Sequence, residues 1–419
     1  MKQIVKSKNQ AYLMIFLGWL VYAMSYLGRV NYSANITQII DFYGVTKAQA
    51  GTVPTFFFFA YGIGQVVNGL LCKKYNVKWF VFGSLLTSAS INLLIAVGAD
   101  FSLIKWLWML NGIVLSVLWP TLIRWISEHL PQKALGTSAF AMGTTVATGT
   151  LIIYGLSSLY AMWHQFLLSF YTAALVMYVV AIVWLIFYGK AVSSAQQAKE
   201  SEDVVTEVKQ EKTVLPVQTS AAKKCLYLTI CVLCFFAVSI NLIKDGLTTW
   251  VPSILKEEFH MSDSISILLT LLLPMLAFFG NTLALKLHKM FSDYVNQCAV
   301  VFAVVAFFIA LIIGSLKLGL MVVMFLGLLV VNCFIASLNN LVTSIFPLFM
   351  RGKVNSGLFA GIINGCCYVG STLSAYGLGA IADHFGWTSV FWTLAGCCVI
   401  IFAVWFVYTL LKRAWQEKH

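Results

Sequence analysis

The chain alternates long apolar runs with short polar connections, and this pattern is the strongest constraint on its fold. A helix needs about 20 mostly apolar residues to cross the hydrocarbon core of a bilayer. Twelve such runs can be marked, six before a polar stretch and six after it. The sequence predicts spans near 11–36, 51–71, 79–98, 103–126, 136–158, 166–188, 225–255, 264–287, 296–314, 318–346, 354–380 and 388–411.

The composition excludes several classes of protein. Apolar residues make up 60% of the 419 residues, and charged residues make up 10%. Ordinary soluble domains contain roughly 45–50% apolar and about 25% charged residues. These values exclude a soluble enzyme, a nucleic-acid-binding protein and a disordered chain. The apolar runs are continuous and do not alternate, which also excludes a β-barrel. The sequence therefore predicts an all-α membrane protein that lies in a lipid bilayer.

The polar stretch at 190–223 divides the chain. It has mixed charge, few aromatic residues and no glycine, which is typical of segments that cannot bury enough apolar surface to fold. We expect a flexible cytoplasmic linker here. It would join an N-terminal half of six helices (1–189) to a C-terminal half of six helices (224–419).

The positions of Lys and Arg predict the orientation in the membrane. Basic residues concentrate in the cytoplasmic loops of membrane proteins. If both termini are cytoplasmic, most basic residues fall in inside loops, and the net charge of +12 is largely a topology signal. The predicted outside loops then carry only Lys47, Lys105, Lys256 and Lys317. We expect a multi-pass protein of a plasma (inner) membrane.

Similar motifs recur in the two halves of the chain. Tyr154-Gly155-Leu156 precedes Trp163, and Tyr376-Gly377-Leu378 precedes Trp387. The motifs are separated by roughly 220 residues, as expected for parallel six-helix repeats with a substrate site at their interface near the bilayer midplane. The sequence therefore predicts two pseudo-symmetric halves.

Three charged residues lie inside predicted spans and away from the span ends. Arg29 belongs to the first span, and Lys244 and Asp245 belong to the seventh. A charge at the bilayer centre costs about 2.5–3.5 kcal/mol on insertion scales, so it must face water or a partner. Arg29 and Lys244 are separated by nearly the repeat interval. Together they predict a clamp for a multivalent anion, because Arg binds phosphate or carboxylate with a planar fork and Lys binds as a point charge.

Two readings of these charges remain open. In the first reading Arg29 and Lys244 form the anion clamp. In the second, Lys244 pairs with Asp245, and Arg29 extends to the membrane–water interface or binds backbone carbonyls. Neighbouring residues on a helix point about 100° apart, so Lys244 and Asp245 cannot both face one cavity. Asp245 would then orient a neighbouring helix.

The sequence offers little for proton coupling or for catalysis. Asp245 is the only acid deep in a predicted span, and no histidine lies deep. Because proton relays use such residues, exchange of one anion for another is favoured. Cys231 and Cys234 form a C-x-x-C, but on a predicted membrane helix, where they are interpreted as core residues. We expect no metal, no cofactor and no enzymatic activity.

The polar and aromatic motifs resemble those of a known family. The first span contains Tyr22, Tyr26 and Arg29-Val30-Asn31, and the seventh contains Lys244-Asp245-Gly246 before Trp250. The other motifs are Gly62-Ile63-Gly64-Gln65, Asn111-Gly112, Trp119-Pro120, Tyr368-Val369-Gly370 and Gly386-Trp387. With these motifs the chain resembles the major facilitator superfamily, and within it the organophosphate:phosphate antiporters.

The resemblance implies roles for individual residues. Arg29 and Lys244 would bind the phosphate group, while Tyr22, Tyr26 and Tyr368 would line the substrate cavity. Several positions depart from the family pattern, among them Lys244, where arginine is usual. Two others are Gln65, where some members have lysine, and Asn241, where a tyrosine can precede the second cation. They are substrate-binding candidates too. Asp245, Trp119 and Arg124 are candidates for gating or helix orientation, and Trp119-Pro120 predicts a kink.

The sequence therefore predicts a monomeric secondary transporter that works by alternating access of its two halves. Its expected substrates are a small organophosphate (a sugar or glycerol phosphate) and inorganic phosphate. Two alternatives stay open. One is a sugar-acid:proton symporter, whose first span carries a similar Arg-Val-Asn. The other is a receptor that binds a sugar phosphate without moving it.

Overall fold

The computed structural model describes residues 2–203, 220–288, 290, 293–346 and 356–416. Within these residues the regular secondary structure is helical and contains no strand. The prediction of an all-α chain is thus confirmed.

The helices are numbered in chain order. The first nine are α1 (Lys2–Ser25), α2 (Leu27–Ala34), α3 (Ile36–Tyr43), α4 (Lys47–Leu71), α5 (Val77–Ala96), α6 (Phe101–Leu115), α7 (Leu118–His129), α8 (Gln132–Met162) and α9 (Leu167–Asp203). The others are α10 (Ser220–Phe259), α11 (Asp263–Thr270), α12 (Leu272–His288), α13 (Tyr294–Lys317), α14 (Met321–Asn340) and α15 (Ser356–Gln416). A 3₁₀ turn at Cys72–Lys74 follows α4, and a π-helical turn at Leu341–Ile345 follows α14.

The long apolar helical stretches account for the twelve predicted membrane spans. Eleven helical stretches among the described residues are long and apolar enough to cross a bilayer. The last of them, Gly361–Ala414, has 54 residues, which is more than twice the length that one crossing requires. Gly386 interrupts it with φ 76° and ψ 172°, a conformation that glycine adopts without steric cost. Two predicted spans therefore share α15 and meet at this glycine.

Three predicted spans are interrupted where the sequence suggested continuous helix. The first breaks at Tyr26 and again at Asn35, the fourth breaks between α6 and α7, and the eighth breaks at Leu271. Proline explains the last two breaks. Pro120 and Pro274 have no N–H for the carbonyl four residues earlier, which belongs to Ser116 and Thr270 respectively.

The predicted linker is helical where the structure describes it. Helix α9 continues through 190–203, and α10 begins at Ser220, while 204–219 lie outside the described residues. The helix thus extends past the expected end of the sixth span near residue 188, into the segment predicted to be a flexible linker. The following Ala, Gln, Lys and Glu residues are good helix formers, and no proline interrupts them before Asp203.

The chain forms two compact units. The first combines residues 1–35 and 63–213. In it, α1 packs against α8 and α9, and α5 packs against α6 and α9. Its core contains buried rings in contact, with Trp125 stacking edge-on against Trp184 at 4.8 Å between centroids.

The second unit combines residues 36–62 and 214–419. In it, α10 packs against α15 and α13 packs against α14. The unit also contains α3 and the start of α4, whose first backbone amides are capped by a carboxylate of α15. The N–H groups of Lys47 and Ala48 donate to Asp383 at 3.1 and 2.6 Å. The predicted division at 190–223 into two six-helix halves stays a prediction.

A partly buried carboxylate at the start of α13 joins this helix to the end of α15. Asp293 accepts hydrogen bonds from the N–H groups of Val295 at 2.8 Å and Asn296 at 3.2 Å, and it forms an ion pair with Lys412. Burial opposes ionisation of the carboxyl, but the Lys412 ammonium and the two amides outweigh it and lower the pKa of Asp293 below 3.8. The side chain of Asp293 is 12% exposed, so solvent screens these contacts only weakly.

We predict that Asp293→Asn destabilises the protein by about 1–2 kcal/mol near neutral pH, because a capped helix end and a charge pair are weakened. The lowered pKa means that the carboxylate stabilises the fold above about pH 4 and that this stabilisation is lost as the pH falls through the native pKa. Thermal unfolding in detergent at neutral and acidic pH measures the difference. Asp100 precedes α6 without a side-chain cap hydrogen bond, so Asp100→Asn is the control. An unchanged penalty at acidic pH would contradict this account.

Candidate substrate site

Arg29 lies one turn beyond the break in the first span, beside Tyr26. Its Nη1 donates to the Tyr26 hydroxyl at 3.2 Å, and its Cζ lies 4.9 Å from the centre of the Tyr26 ring. Residues three apart on a helix share a face, and the turn at Tyr26 keeps that register because the amides of Arg29 and Val30 both donate to the Tyr26 carbonyl. The predicted pairing of Arg29 with Tyr26 is therefore present.

The other predicted aromatic residues of this unit continue from Tyr26. The Tyr22 ring meets the Tyr26 ring edge-on at 5.6 Å and the Trp119 ring at 4.8 Å. Tyr22 and Tyr26 are buried, whereas Arg29 and Trp119 are partly exposed. Contacts between rings thus connect Arg29 to the start of α7, at the break in the fourth span.

A network of asparagine amides fixes the backbone next to Arg29. The carbonyl oxygen of Gly28 accepts hydrogen bonds from Asn111 Nδ2 at 2.8 Å and from Asn92 Nδ2 at 3.3 Å. Asn31 Nδ2 donates to Asn92 Oδ1 at 2.8 Å, and Ser88 Oγ donates to Asn111 Oδ1 at 2.6 Å. All four polar side chains are buried. Because unmet polar groups are costly inside a membrane, this network holds α2 in one position.

The break in the fourth span is stabilised from α4. Pro120 supplies no N–H to the Ser116 carbonyl, and Gln65 Nε2 donates to that carbonyl at 3.2 Å. Asn68 Nδ2 donates to the Ser116 hydroxyl at 2.8 Å. Gly64 permits this approach, because a Cβ atom there would collide with Ser116. The predicted kink at Trp119-Pro120 is confirmed, and Gln65, a predicted substrate residue, bonds to the kinked backbone.

Arg124 lies at the other end of α7. Its Nη2 donates to the Tyr75 carbonyl at 3.1 Å, and its Nε lies 3.6 Å from Glu128 Oε1. Tyr75 in turn donates to Asn68 Oδ1 at 2.7 Å. Arg124 therefore ties α7 to the connection after α4, while its predicted role in gating stays a prediction.

Lys244 in the second unit has two polar neighbours on its own helix. Its Nζ lies 3.3 Å from Asp245 Oδ1 and donates to Asn241 Oδ1 at 3.2 Å. Asn241 is buried and donates to Asn339 Oδ1 at 3.1 Å. The Lys244 side chain is 31% exposed. The structure thus contains the Lys244–Asp245 pair that the sequence left open as an alternative.

Asp245 also bonds to α15, because the Ser371 hydroxyl donates to Asp245 Oδ2. One carboxylate therefore contacts both the cation and a neighbouring helix. Tyr368, the predicted cavity residue of α15, is half-buried and its ring lies 4.9 Å from the Tyr61 ring. A Cβ atom at Gly62 would press on Tyr368, so the glycine permits close packing there.

The surroundings of the two cations repeat in detail. Each cation donates to a side chain three residues earlier, Arg29 to Tyr26 and Lys244 to Asn241. Three residues before each of these partners, the backbone carbonyl faces a glycine of another helix. Gly149 of α8 lies against the carbonyl of Ala23, and Gly370 of α15 lies against the carbonyl of Val238. The spacing along the chain between the cation, its side-chain partner and the glycine contact is therefore the same in the two units.

Sequence reasoning missed the residues that hold the helix backbones in place. Asn92, Ser88, Asn339 and Ser371 were not predicted as parts of the site, although each lies in an apolar span. Ser88 and Asn92 are four residues apart and so share a face of α5. Polar residues within a span are a usable signal, but the sequence does not show which helix they contact.

Helices that cross a membrane many times, with a cation inside a span of each unit, are characteristic of a membrane transporter. The chain belongs to the Major Facilitator Superfamily, whose family pattern matches residues 18–358. The protein is therefore a multi-pass membrane protein of this superfamily.

Two curated relatives have names that refer to phosphate esters. The "Probable hexose phosphate transport protein" of Chlamydia pneumoniae is 24% identical over 141 residues, which cover 32% of this chain and 30% of that protein. The chain thus matches less than a third of that relative's length. The "Phosphoglycerate transporter protein" of Salmonella typhimurium is 23% identical over 424 residues, covering 93% of this chain and 87% of that protein.

A solved structure supports the fold. The chain is similar to a bacterial homologue of the human lysosomal transporter Spinster, with a TM-score of 0.72. The match covers 94% of this chain and 96% of the other chain, at 13% identity. At that identity the similarity concerns the fold alone.

We predict that Gln65→Leu destabilises the protein by about 1 kcal/mol, because the Ser116 carbonyl loses a donor. In a Pro120→Ala background the backbone N–H at position 120 replaces that donor, so the penalty should largely disappear. Thermal unfolding of the four combinations gives the coupling energy. Pro274→Ala removes the proline of the other break and should leave the Gln65 penalty unchanged. Equal penalties in all backgrounds would refute the role of Gln65.

We predict that Gly149→Ala destabilises the protein by about 1–3 kcal/mol, because the added methyl group is forced against Ala23 and Tyr26. The same change should weaken anion binding, since Tyr26 contacts Arg29. A Cβ atom at Gly143, in the same helix, meets nothing within 4 Å, so Gly143→Ala is the control and should not destabilise. Unfolding temperature and anion affinity of both variants test this. Equal behaviour of the two variants would exclude the proposed contact.

Proposed function

We propose that the protein is a secondary active transporter that exchanges a small organophosphate for inorganic phosphate. The observation that carries the proposal is that Arg29 in the first unit and Lys244 in the second are partly exposed cations deep within a membrane span, in the same register relative to their neighbours. The names of the relatives point to the same class of substrate. The family pattern, which matches most of the chain, supports transport as the activity.

The two cations suit an anion with more than one charged oxygen. Arg29 offers a planar guanidinium, one of whose N–H groups donates to Tyr26. Guanidinium groups bind phosphate with parallel hydrogen bonds, and an ammonium group such as Lys244 adds a point charge. In the proposed site Tyr22, Tyr26 and Tyr368 line the path of the substrate, while Gln65 and Asn241 contribute through the helices they hold.

Asp245 makes the second cation responsive to a ligand. In the described structure its carboxylate lies 3.3 Å from Lys244 Nζ, which partly compensates the lysine charge. An incoming phosphate competes for the same ammonium group. Asp245 keeps its bond to Ser371 of α15, so binding at Lys244 changes the forces between α10 and α15.

Obligatory exchange follows from the cost of uncompensated charge. Removing the partly exposed Arg29 and Lys244 side chains from water without a bound anion is unfavourable at membrane depth. A bound phosphate ester or inorganic phosphate neutralises the cations and lowers that cost. The proposed transporter therefore changes state easily only when an anion is bound, by rocking of its two six-helix halves.

The proposed function also includes a membrane, an orientation and an oligomeric state. We place the protein in a plasma (inner) membrane with both termini cytoplasmic, which agrees with the distribution of Lys and Arg. We expect it to act as a monomer, with inorganic phosphate and a small organic phosphate as its ligands.

We predict that proteoliposomes loaded with unlabelled phosphate take up labelled phosphate by counterflow, and that Arg29→Ala lowers the rate at least about tenfold, the effect of losing charged hydrogen bonds. Lys244→Ala should give a similar loss. Lys105, near the start of α6, lies over the ring of the adjacent Trp106 at 5.5 Å and is not one of the predicted substrate residues, so Lys105→Ala is the control and should keep the full rate. Unlabelled sugar and glycerol phosphates added as competitors then identify the organic substrate.

Other outcomes of this experiment separate the alternatives. Saturable binding of a sugar phosphate without flux indicates a receptor. Uptake of a sugar acid that requires an imposed proton gradient indicates a symporter. Absence of phosphate exchange in protein that unfolds cooperatively excludes the antiporter.

A further inference from the structure

An apolar groove lies between α5 and α6 in the first unit. It has a volume of about 360 Å³ and is lined by Trp79, Phe80, Gly83, Ser84, Thr87, Ile113, Val114 and Val117. This volume is at the lower end of the range for ligand sites. One of the two hydroxyl groups in the lining already has a partner, because Ser84 Oγ donates to the Val114 carbonyl at 2.5 Å. The groove therefore suits an apolar chain.

The rim of the groove is exposed and aromatic. Trp79 is 56% exposed, Phe80 is 42% exposed and Ile113 is 45% exposed. The Phe80 ring stacks on Tyr75 at 4.1 Å with an interplanar angle of 7°, which fixes one wall. Tryptophan with this exposure at the start of a membrane helix is typical of the interface between headgroups and acyl chains.

Three lysines lie in the segment that leads into the aromatic rim of the groove. Lys78 Nζ lies over the Trp79 ring at 5.5 Å, and Lys73 and Lys74 lie in the 3₁₀ turn just before Tyr75. The connection from Cys72 to Lys78 contains no acidic residue. Among the described residues no ion pair joins these three lysines to a carboxylate. Within the described ranges, the segment before the rim thus carries three positive charges without a carboxylate partner.

We propose that this groove binds an anionic phospholipid. One acyl chain occupies the groove, and the phosphate headgroup contacts Lys73, Lys74 and Lys78. The predicted orientation places the site in the cytoplasmic leaflet, where anionic lipids attract basic residues near a membrane helix. A lipid without net charge would fill the apolar part but would leave the lysines uncompensated, so the proposal requires selectivity for the anionic headgroup.

The groove also borders the break in the fourth span. Val114 and Val117 line it, while Ser116 between them accepts the hydrogen bonds of Gln65 and Asn68. The lipid chain would therefore pack directly against the backbone of this break. This site is independent of the proposed phosphate substrate, and its occupancy can be measured without transport.

Native mass spectrometry of the purified full-length chain in detergent tests the proposal, with phosphatidylglycerol and phosphatidylcholine of identical acyl chains as probes. We expect the chain to retain phosphatidylglycerol at least about tenfold more strongly, since each lysine near an anionic headgroup contributes about fivefold. The triple variant Lys73→Gln, Lys74→Gln, Lys78→Gln should bind both lipids equally. The control is the double variant Lys105→Gln, Lys317→Gln, which should keep the preference.

A second variant fills the groove. A Cβ atom at Gly83 meets nothing within 4 Å, so Gly83→Phe places a ring in the groove without a clash at the backbone. It should abolish retention of phosphatidylglycerol. Gly189, which is equally open and lies on α9, provides the control Gly189→Phe. If Gly83→Phe lowers the unfolding temperature, Gly83→Leu replaces it.

Three results would overturn the proposal. The wild-type chain could show no preference between the two lipids, which indicates unspecific filling of an apolar groove. The triple lysine variant could keep the preference, which indicates that the lysines only determine the orientation of the protein. Folded Gly83→Phe and Gly83→Leu variants could retain the lipid as the wild type does, which places the lipid elsewhere.

Discussion

The structure depends on the requirement that backbone N–H and C=O groups at membrane depth find partners within the protein. Continuous helices satisfy this requirement by themselves, but the first and fourth spans are interrupted. Just after the break at Tyr26 and at the break before Pro120, side-chain amides from other helices bond to the backbone. Asn111 and Asn92 donate to Gly28, and Gln65 donates to Ser116. The breaks are thus stable only because neighbouring helices lie at the correct distance.

The break in the first span also determines where the first cation lies. Arg29 follows the turn at Tyr26 and directly succeeds the carbonyl that the two asparagines hold. In the second unit α10 is continuous through Lys244, and the cation is held by Asp245 and Asn241 instead. The Arg29 guanidinium lies beside a neutral tyrosine hydroxyl. The Lys244 ammonium lies beside a carboxylate, which partly compensates its charge. The two halves of the repeat therefore share a register but differ in electrostatics.

Part of the site follows directly from sequence spacing. Contacts along one helix, such as Arg29 with Tyr26 and Lys244 with Asn241, are fixed by the helical period. Contacts between helices do not follow from spacing. Gln65 was predicted to bind substrate because of its position in a family pattern, yet its amide lies on the carbonyl that Pro120 leaves without a donor. Whether it also contacts a substrate depends on groups that a single helix does not specify.

The sequence by itself determined the class of fold, the number of spans and the position of the charged residues within them. It did so because the bilayer imposes a length and an apolar composition on every crossing segment. The tertiary structure alone decided which asparagine holds Gly28, that Ser371 bonds to Asp245, and that residues 36–62 join the unit of the C-terminal helices. These facts depend on the rotation and neighbours of each helix. Rotation and neighbours are set by packing between side chains far apart in sequence, which the local pattern of one span does not contain.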